Sequence, residues 1–204
     1  MIVKICGITS PCDALAAVRA GAAALGFNFY PASPRFVSVE AAQRIAAVLP
    51  PGVLKVGVFV NETLERAAEV VAAAGLNVAQ MHGAEVPEMA APHPGVRVWL
   101  ALPAAPGLAA RIASARAEAF LVDTPSPSHG GTGRAFDWSL AEALPGRIVL
   151  AGGLGPDNVA EAIRRVRPWG VDAASRLERA PGVKDHEKMR QFVEAALREA
   201  RTLC

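Results

Sequence analysis

Short apolar runs recur along the chain, each followed by about ten residues whose apolar positions return at helical spacing. The runs are about Ile2–Cys6, Ala24–Phe29, Leu54–Val60, Val78–Met81, Val96–Leu100, Ala119–Val122, Ile148–Ala151 and Gly170–Ala173. They are continuous rather than alternating, the pattern of parallel strands covered on both faces. Start signals mark the helices between them. Ser10-Pro11-x-Asp13 offers an N-cap, a proline at the first helical position and an acid at the third. Gly21 stands where a glycine would end that helix. Asn61-Glu62 opens a helix closed by Gly75, and Gly155-Pro156-Asp157 opens another. Over about Asp185 to Arg201, Met189, Phe192, Val193, Ala196, Leu197 and Ala200 fall on one helical face.

Eight strand-then-helix units without a composition break predict an α/β fold: a single (β/α)8 barrel, a closed parallel eight-stranded sheet with outer helices, over residues 1–204. An open doubly wound sheet is the competing architecture. It would usually bring a Gly-x-Gly-x-x-Gly turn after the first strand, where this chain has Ile5-Cys6-Gly7-Ile8-Thr9. At 204 residues the chain sits at the lower edge of a complete barrel, which needs roughly 200.

Composition narrows the function classes. A net charge of +2 and the absence of a Lys/Arg run speak against a nucleic-acid surface. Cys6, Cys12 and Cys204 form no C-x-x-C pair and have no histidine at ligand spacing, so a disulfide framework or a zinc site is not expected. The N-terminal stretch runs straight into a strand pattern, and no apolar segment reaches the about 18 residues of a membrane span. The expectation is a soluble, cytoplasmic protein. Outward apolar positions on barrel helices leave monomer and homodimer both open.

Barrel chemistry gathers where strands end. Here the strand ends present Cys6-Gly7, Asn28 through Ser33-Pro34-Arg35, Asn61, His82-Gly83, Asp123-Thr124 with Gly130-Gly131-Thr132-Gly133-Arg134, Gly152-Gly153 and Ser175-Arg176. The strand-seven glycines would let backbone N–H groups approach an anion, and phosphate binding after strands seven and eight recurs in barrels; a tight turn without ligand is the plain alternative. Cys6 is either a packed small hydrophobe or a reactive thiolate. A thiol with a pKa of about 8.5 needs cationic help to act as a base near neutrality, and Lys4, two residues earlier, points to the same side of a regular strand. Asp123 is either a capping group or an acid/base. Arg35 is either solvated or a planar grip for a carboxylate. His82 caps or packs, or serves the site, while His93, His129 and His186 read as surface residues.

Taken in order, these segments resemble the phosphoribosylanthranilate isomerase family. The resemblance rests on Val3-Lys4-Ile5-Cys6-Gly7-Ile8-Thr9, Gly26-Phe27 through Ser33-Pro34-Arg35, Val56 to Asn61, Gln80-Met81-His82-Gly83 and Val122-Asp123-Thr124. It continues through Gly130 to Gly133, Phe136-Asp137-Trp138, Leu150-Ala151-Gly152-Gly153-Leu154 and Pro181-Gly182-Val183-Lys184-Asp185. It implies an Amadori rearrangement of a phosphorylated sugar, with Cys6 as general base and Asp123 as general acid. It also implies Arg35 on the anthranilate carboxylate, His82 among the substrate-binding residues, and phosphate at Gly153 and Ser175. No metal or organic cofactor is implied. The family's Ser-Ser-Gly after strand eight is Ala174-Ser175-Arg176 here, so Arg176 either adds a phosphate contact or points to solvent. Three other readings compete: a histidine-pathway aminoaldose isomerase, which uses an aspartate where Cys6 stands; a sugar-phosphate binder without turnover; and a redox thiol protein, which needs a better-placed partner than Cys12. The glycine-rich stretch after Asp123 is the expected lid.

Overall fold

A computed structural model describes residues 1–83, 94–125 and 135–203. Eight parallel strands close on themselves in sequence order: β1 (Ile2–Ile5), β2 (Ala24–Asn28), β3 (Leu54–Val60), β4 (Val78–His82), β5 (Arg97–Pro103), β6 (Ala119–Asp123), β7 (Ile148–Leu150) and β8 (Gly170–Ala173). The ring is sealed between β8 and β1, where Lys4 pairs in register with Asp172. Among the described residues six helices lie outside: α1 (Pro11–Ala20), α2 (Val39–Ala47), α3 (Leu64–Ala73), α4 (Leu108–Ser114), α5 (Val159–Val166) and α6 (His186–Thr202). A short antiparallel hairpin, β9 (Glu178–Ala180) and β10 (Val183–Lys184), intervenes before α6.

The local signals explain most boundaries. Ser10 Oγ accepts the Asp13 N–H at 3.1 Å, and Gly21 ends α1 at φ +103°. The start of α3 lies at Thr63 rather than Asn61, because the Thr63 hydroxyl accepts the Arg66 N–H while Asn61 takes a left-handed φ of 52°. Similarly, α5 begins three residues beyond Pro156. Asn158 Oδ1 accepts the Gly155 N–H at 2.8 Å, its Nδ2 donates to Gly153 O at 3.0 Å, and the intervening turn is held outside the helix. The eighth-unit pattern also departs at strand six. The helical segment among the described residues there is a 3-10 turn, Trp138–Ala141, capped by Asp137 and stopped before Pro145. The residues after Gly83, including His93, and the glycine-rich stretch Gly130–Arg134 with His129 lie outside the described residues. Among the described residues no helix is long and apolar enough to cross a membrane.

Two apolar shells result. One, containing Phe27, Leu100, Ile163 and Phe192, fills the space between strands and helices. The other lies inside the ring and comprises Ala24, Val56, Val78, Trp99, Leu121 and Val149 with their neighbours. Trp169 meets Trp99 edge-on at 5.8 Å and closes its amino-terminal end. Because strand side chains alternate, each inward row continues toward the carboxyl ends. The rows Ile2–Lys4, Val78–Gln80–His82, Leu121–Asp123 and Gly170–Asp172 thus turn from apolar to polar as they rise.

Candidate active site

A cavity of about 420 Å³ opens at the carboxyl ends, lined by Cys6, Arg35, His82 and Asp123 along with Gln80 and Asp172. Four of the six sequence-expected site residues therefore share one cavity. Gly153 and Ser175 do not line it. Gly153 lies in the turn after β7, and Ser175 follows Ala174, which is on the wall.

Cys6 follows β1 and is tied to β8 by its N–H, which donates to Ala173 O at 2.9 Å. The expected shared side of Lys4 and Cys6 is realised. Both Cys6 Sγ and Lys4 Nζ approach the empty side of Gly26, within 2.6 and 3.2 Å of where a Cβ would stand. Gly26 is thus a clearance for the thiol. Lys4 is fully buried and donates to Asp172 Oδ1 at 2.9 Å. Burial opposes its charge, but Asp172 and the nearby Cys6 sulfur outweigh burial and hold the ammonium above its ordinary range. Cys6 goes the other way. Burial pushes the thiol up, and the cations Lys4 and Lys184 offset that only in part. The cationic help anticipated from Lys4 is present, yet desolvation exceeds it.

Asp123 ends β6. Burial raises its carboxyl to about 6, although the Thr124 N–H donates to Oδ1 at 2.7 Å and favours the anion. A carboxyl titrating there can be protonated at working pH, as a proton donor requires. Gly152 has a part in this that its phosphate-turn reading did not anticipate. It sits at φ +79°, and a Cβ there would stand 2.7 Å from Thr124 N and 2.9 Å from Asp123 Oδ1. Gly152→Ala is therefore expected to cost about 1–3 kcal/mol in strain and to displace the Asp123 turn. A thermal melt with a kcat measurement checks it, and a variant matching wild type in both would remove that role.

Gln80 Nε2 and His82 Nε2 lie 2.7 Å apart, within hydrogen-bond distance. Gln80 Oε1 is buried without a hydrogen-bond partner among the described residues. Arg35 packs its stem against Gly7, 2.5 Å from where a Cβ would lie, and forks onto Glu178: Nε to Oε1 at 2.8 Å and Nη2 to Oε2 at 2.7 Å. Arg176 binds the neighbouring loop. It donates to Gly153 O at 3.0 Å and pairs with both Asp157 oxygens at 2.8 Å, pinning the glycine turn after β7 to β8's exit. His186, read as a surface residue, is bonded to Asp13 at 2.7 Å at the start of α6.

Sequence reading missed Asp172, Glu178 and the roles of Gln80 and Lys184. Asp172 had a usable signal: an acid within an apolar strand, two residues before the exit of β8. Glu178 had none, since its partner lies 143 residues away.

Comparison with known proteins shows the family. The family model described as N-(5′-phosphoribosyl)anthranilate (PRA) isomerase matches residues 3–195. An N-(5′-phosphoribosyl)anthranilate isomerase of Solibacter usitatus is 50% identical over 199 residues, covering 96% of this chain and 97% of that one. The phosphoribosyl anthranilate isomerase structure from Thermus thermophilus superposes with a TM-score of 0.87 at 40% identity, covering 97% of this chain and 99% of that one. A further isomerase structure of the same description, in complex with reduced 1-(o-carboxyphenylamino)-1-deoxyribulose 5-phosphate, gives a TM-score of 0.81 at 39% identity with the same coverage.

Proposed function

The chain belongs to the N-(5′-phosphoribosyl)anthranilate isomerase family, and from that premise we propose that Cys6 and Asp123 are the base and the acid of its Amadori rearrangement. The reaction converts N-(5′-phosphoribosyl)anthranilate to 1-(2-carboxyphenylamino)-1-deoxyribulose 5-phosphate in tryptophan biosynthesis. The single observation that carries the assignment is the shared cavity: a half-buried thiol just after β1 and a carboxyl raised to about 6 on β6 face one space. These strands stand three apart around the ring, so the two groups reach a sugar from different sides.

Asp123 protonates the furanose ring oxygen, and the C1′–O bond breaks to leave an iminium between C1′ and the anilino nitrogen. Cys6 as thiolate takes the C2′ proton, and the C–H electron pair flows into that iminium to give the enolamine. Proton return to C1′ and loss of the 2′-hydroxyl proton complete the aminoketose. The iminium is the electron sink, so the substrate supplies what a cofactor would otherwise bring. Arg35 grips the anthranilate carboxylate, His82 lies against the substrate, and Gly153 with Ser175 hold the phosphate. Support for the phosphate site comes from two consecutive glycines with positive φ, 79° and 62°, at the exit of β7 beside that of β8. Residues 1–204 act as one catalytic domain, in the reducing cytoplasm where a free thiol base survives.

Purified protein is expected to consume phosphoribosylanthranilate without added metal, followed by its anthranilate fluorescence; no turnover would defeat the proposal. A pH profile adds a second test. Protonated Asp123 and ionised Cys6 are both required, and the acid titrates below the base. Activity is then flat between the two, falling below about pH 6 and again above the thiol's range. Because a sugar phosphate also titrates at about pH 6, the residual activity of Asp123→Asn decides the assignment. The break near pH 6 should vanish there, and its persistence would assign it to the substrate.

A further inference from the structure

Pro181-Gly182-Val183-Lys184-Asp185 has no place in the proton transfers, yet the fold makes it the wall behind Arg35. The β9–β10 turn is locked to the loops after β1 and β2: the Thr9 hydroxyl donates to Gly182 O at 2.6 Å, and a Cβ on Gly182 would stand 3.0 Å from Pro34 O. From that turn Lys184 runs inward, 1% exposed, and donates to Glu178 Oε1 at 2.7 Å and to Ala174 O at 3.3 Å. Glu178 is the same carboxylate that accepts both Nε and Nη2 of Arg35. Arg35 Nη1 takes part in neither bond, and Arg35 lines the cavity.

Charge decides what this cluster can do. An Arg35–Glu178 pair alone is neutral and offers a carboxylate no net attraction. With Lys184 buried beside it, the cluster carries one positive charge in excess. Burial would raise the Glu178 carboxyl, but Arg35 and Lys184 together hold it below its usual range. Burial draws the Lys184 ammonium down while Glu178 opposes it. We propose that Glu178 and Lys184 are positioning residues that select a substrate bearing an aromatic carboxylate: Glu178 fixes the plane of the Arg35 guanidinium, and Lys184 supplies the excess charge. The inference rests on Arg35 as the carboxylate grip.

The test compares kcat/KM for phosphoribosylanthranilate with that for the phosphoribosyl aniline lacking the carboxylate, because the ratio isolates recognition of that group. Lys184 also faces Cys6, so a loss common to both substrates reports on the base and cancels in the ratio. Lys184→Met is expected to lower the ratio about tenfold or more. Lys184→Gln, which keeps a donor for Glu178, should do the same and serves if the Met variant does not fold. Glu178→Gln combined with Lys184→Met restores the single positive charge and should recover much of the ratio. A folded Lys184 variant with an unchanged ratio, or a double variant no better than Lys184→Met, overturns the proposal. An unchanged ratio in Arg35→Ala overturns instead the reading of Arg35 itself.

Discussion

Replacing Cys6 by alanine is expected to lower kcat about 10²–10⁴-fold, the usual contribution of a positioned general base, while substrate still binds. The expectation follows from what the thiol touches and what it does not. Sγ occupies the clearance beside Gly26, and the Lys4–Asp172 pair next to it is bonded through a separate contact. Removing one sulfur therefore leaves the buried charges compensated and Arg35 on Glu178. In the proposed mechanism the change is loss of the C2′ proton acceptor, with the sulfur's share in holding the Lys4 ammonium. Single-turnover kinetics and equilibrium binding, read by anthranilate fluorescence, separate the two effects. If kcat stays within a few-fold of wild type in a folded variant, Cys6 is not the base.

Asp123→Asn should cost a similar factor, about 10²–10⁴ in kcat, since an amide keeps the shape but cannot transfer a proton to the ring oxygen. Stability should move the other way. The folded carboxyl titrates at about 6, above its ordinary 3.8, so the folded state favours the protonated form. Its stabilising effect is complete below the unfolded value and is lost as pH rises through 3.8 to about 6. At pH 8 wild type carries a buried anion that the amide removes, and the variant should melt no lower than wild type. A large drop in both melting temperature and binding would point to a structural role instead.

The barrel was legible because its strands are covered on both faces and read as continuous apolar runs, from Ile2–Cys6 to Gly170–Ala173. Cys6 and Asp123 could be singled out because each stands where such a run stops. What the pattern could not reveal was the inward register. Gln80 and Asp172 sit within strands, so their polarity looked like an interruption rather than a floor to the site. Thr63 and Asn158 were passed over as helix starts because neighbouring residues offered equally good capping chemistry. Arg176 was ambiguous for a different reason: its partners, Gly153 and Asp157, belong to another loop. The Arg35–Glu178–Lys184 cluster joins a loop after β2 to a hairpin after β8, and no local window contains both.

The seam between β1 and β8 sets the order in which the site can come into being. Asp172, Glu178 and Lys184 emerge more than 160 residues after Cys6, and the bond from Lys4 to Asp172 spans 168 positions. Such long-range closure is entropically late. A nascent chain, or one cut before β8, holds the thiol and Lys4 without Asp172, Lys184 or the wall behind Arg35. Assembly of the reactive centre is thus coupled to completion of the ring, and the same closure that stabilises the fold acts as quality control on the chemistry.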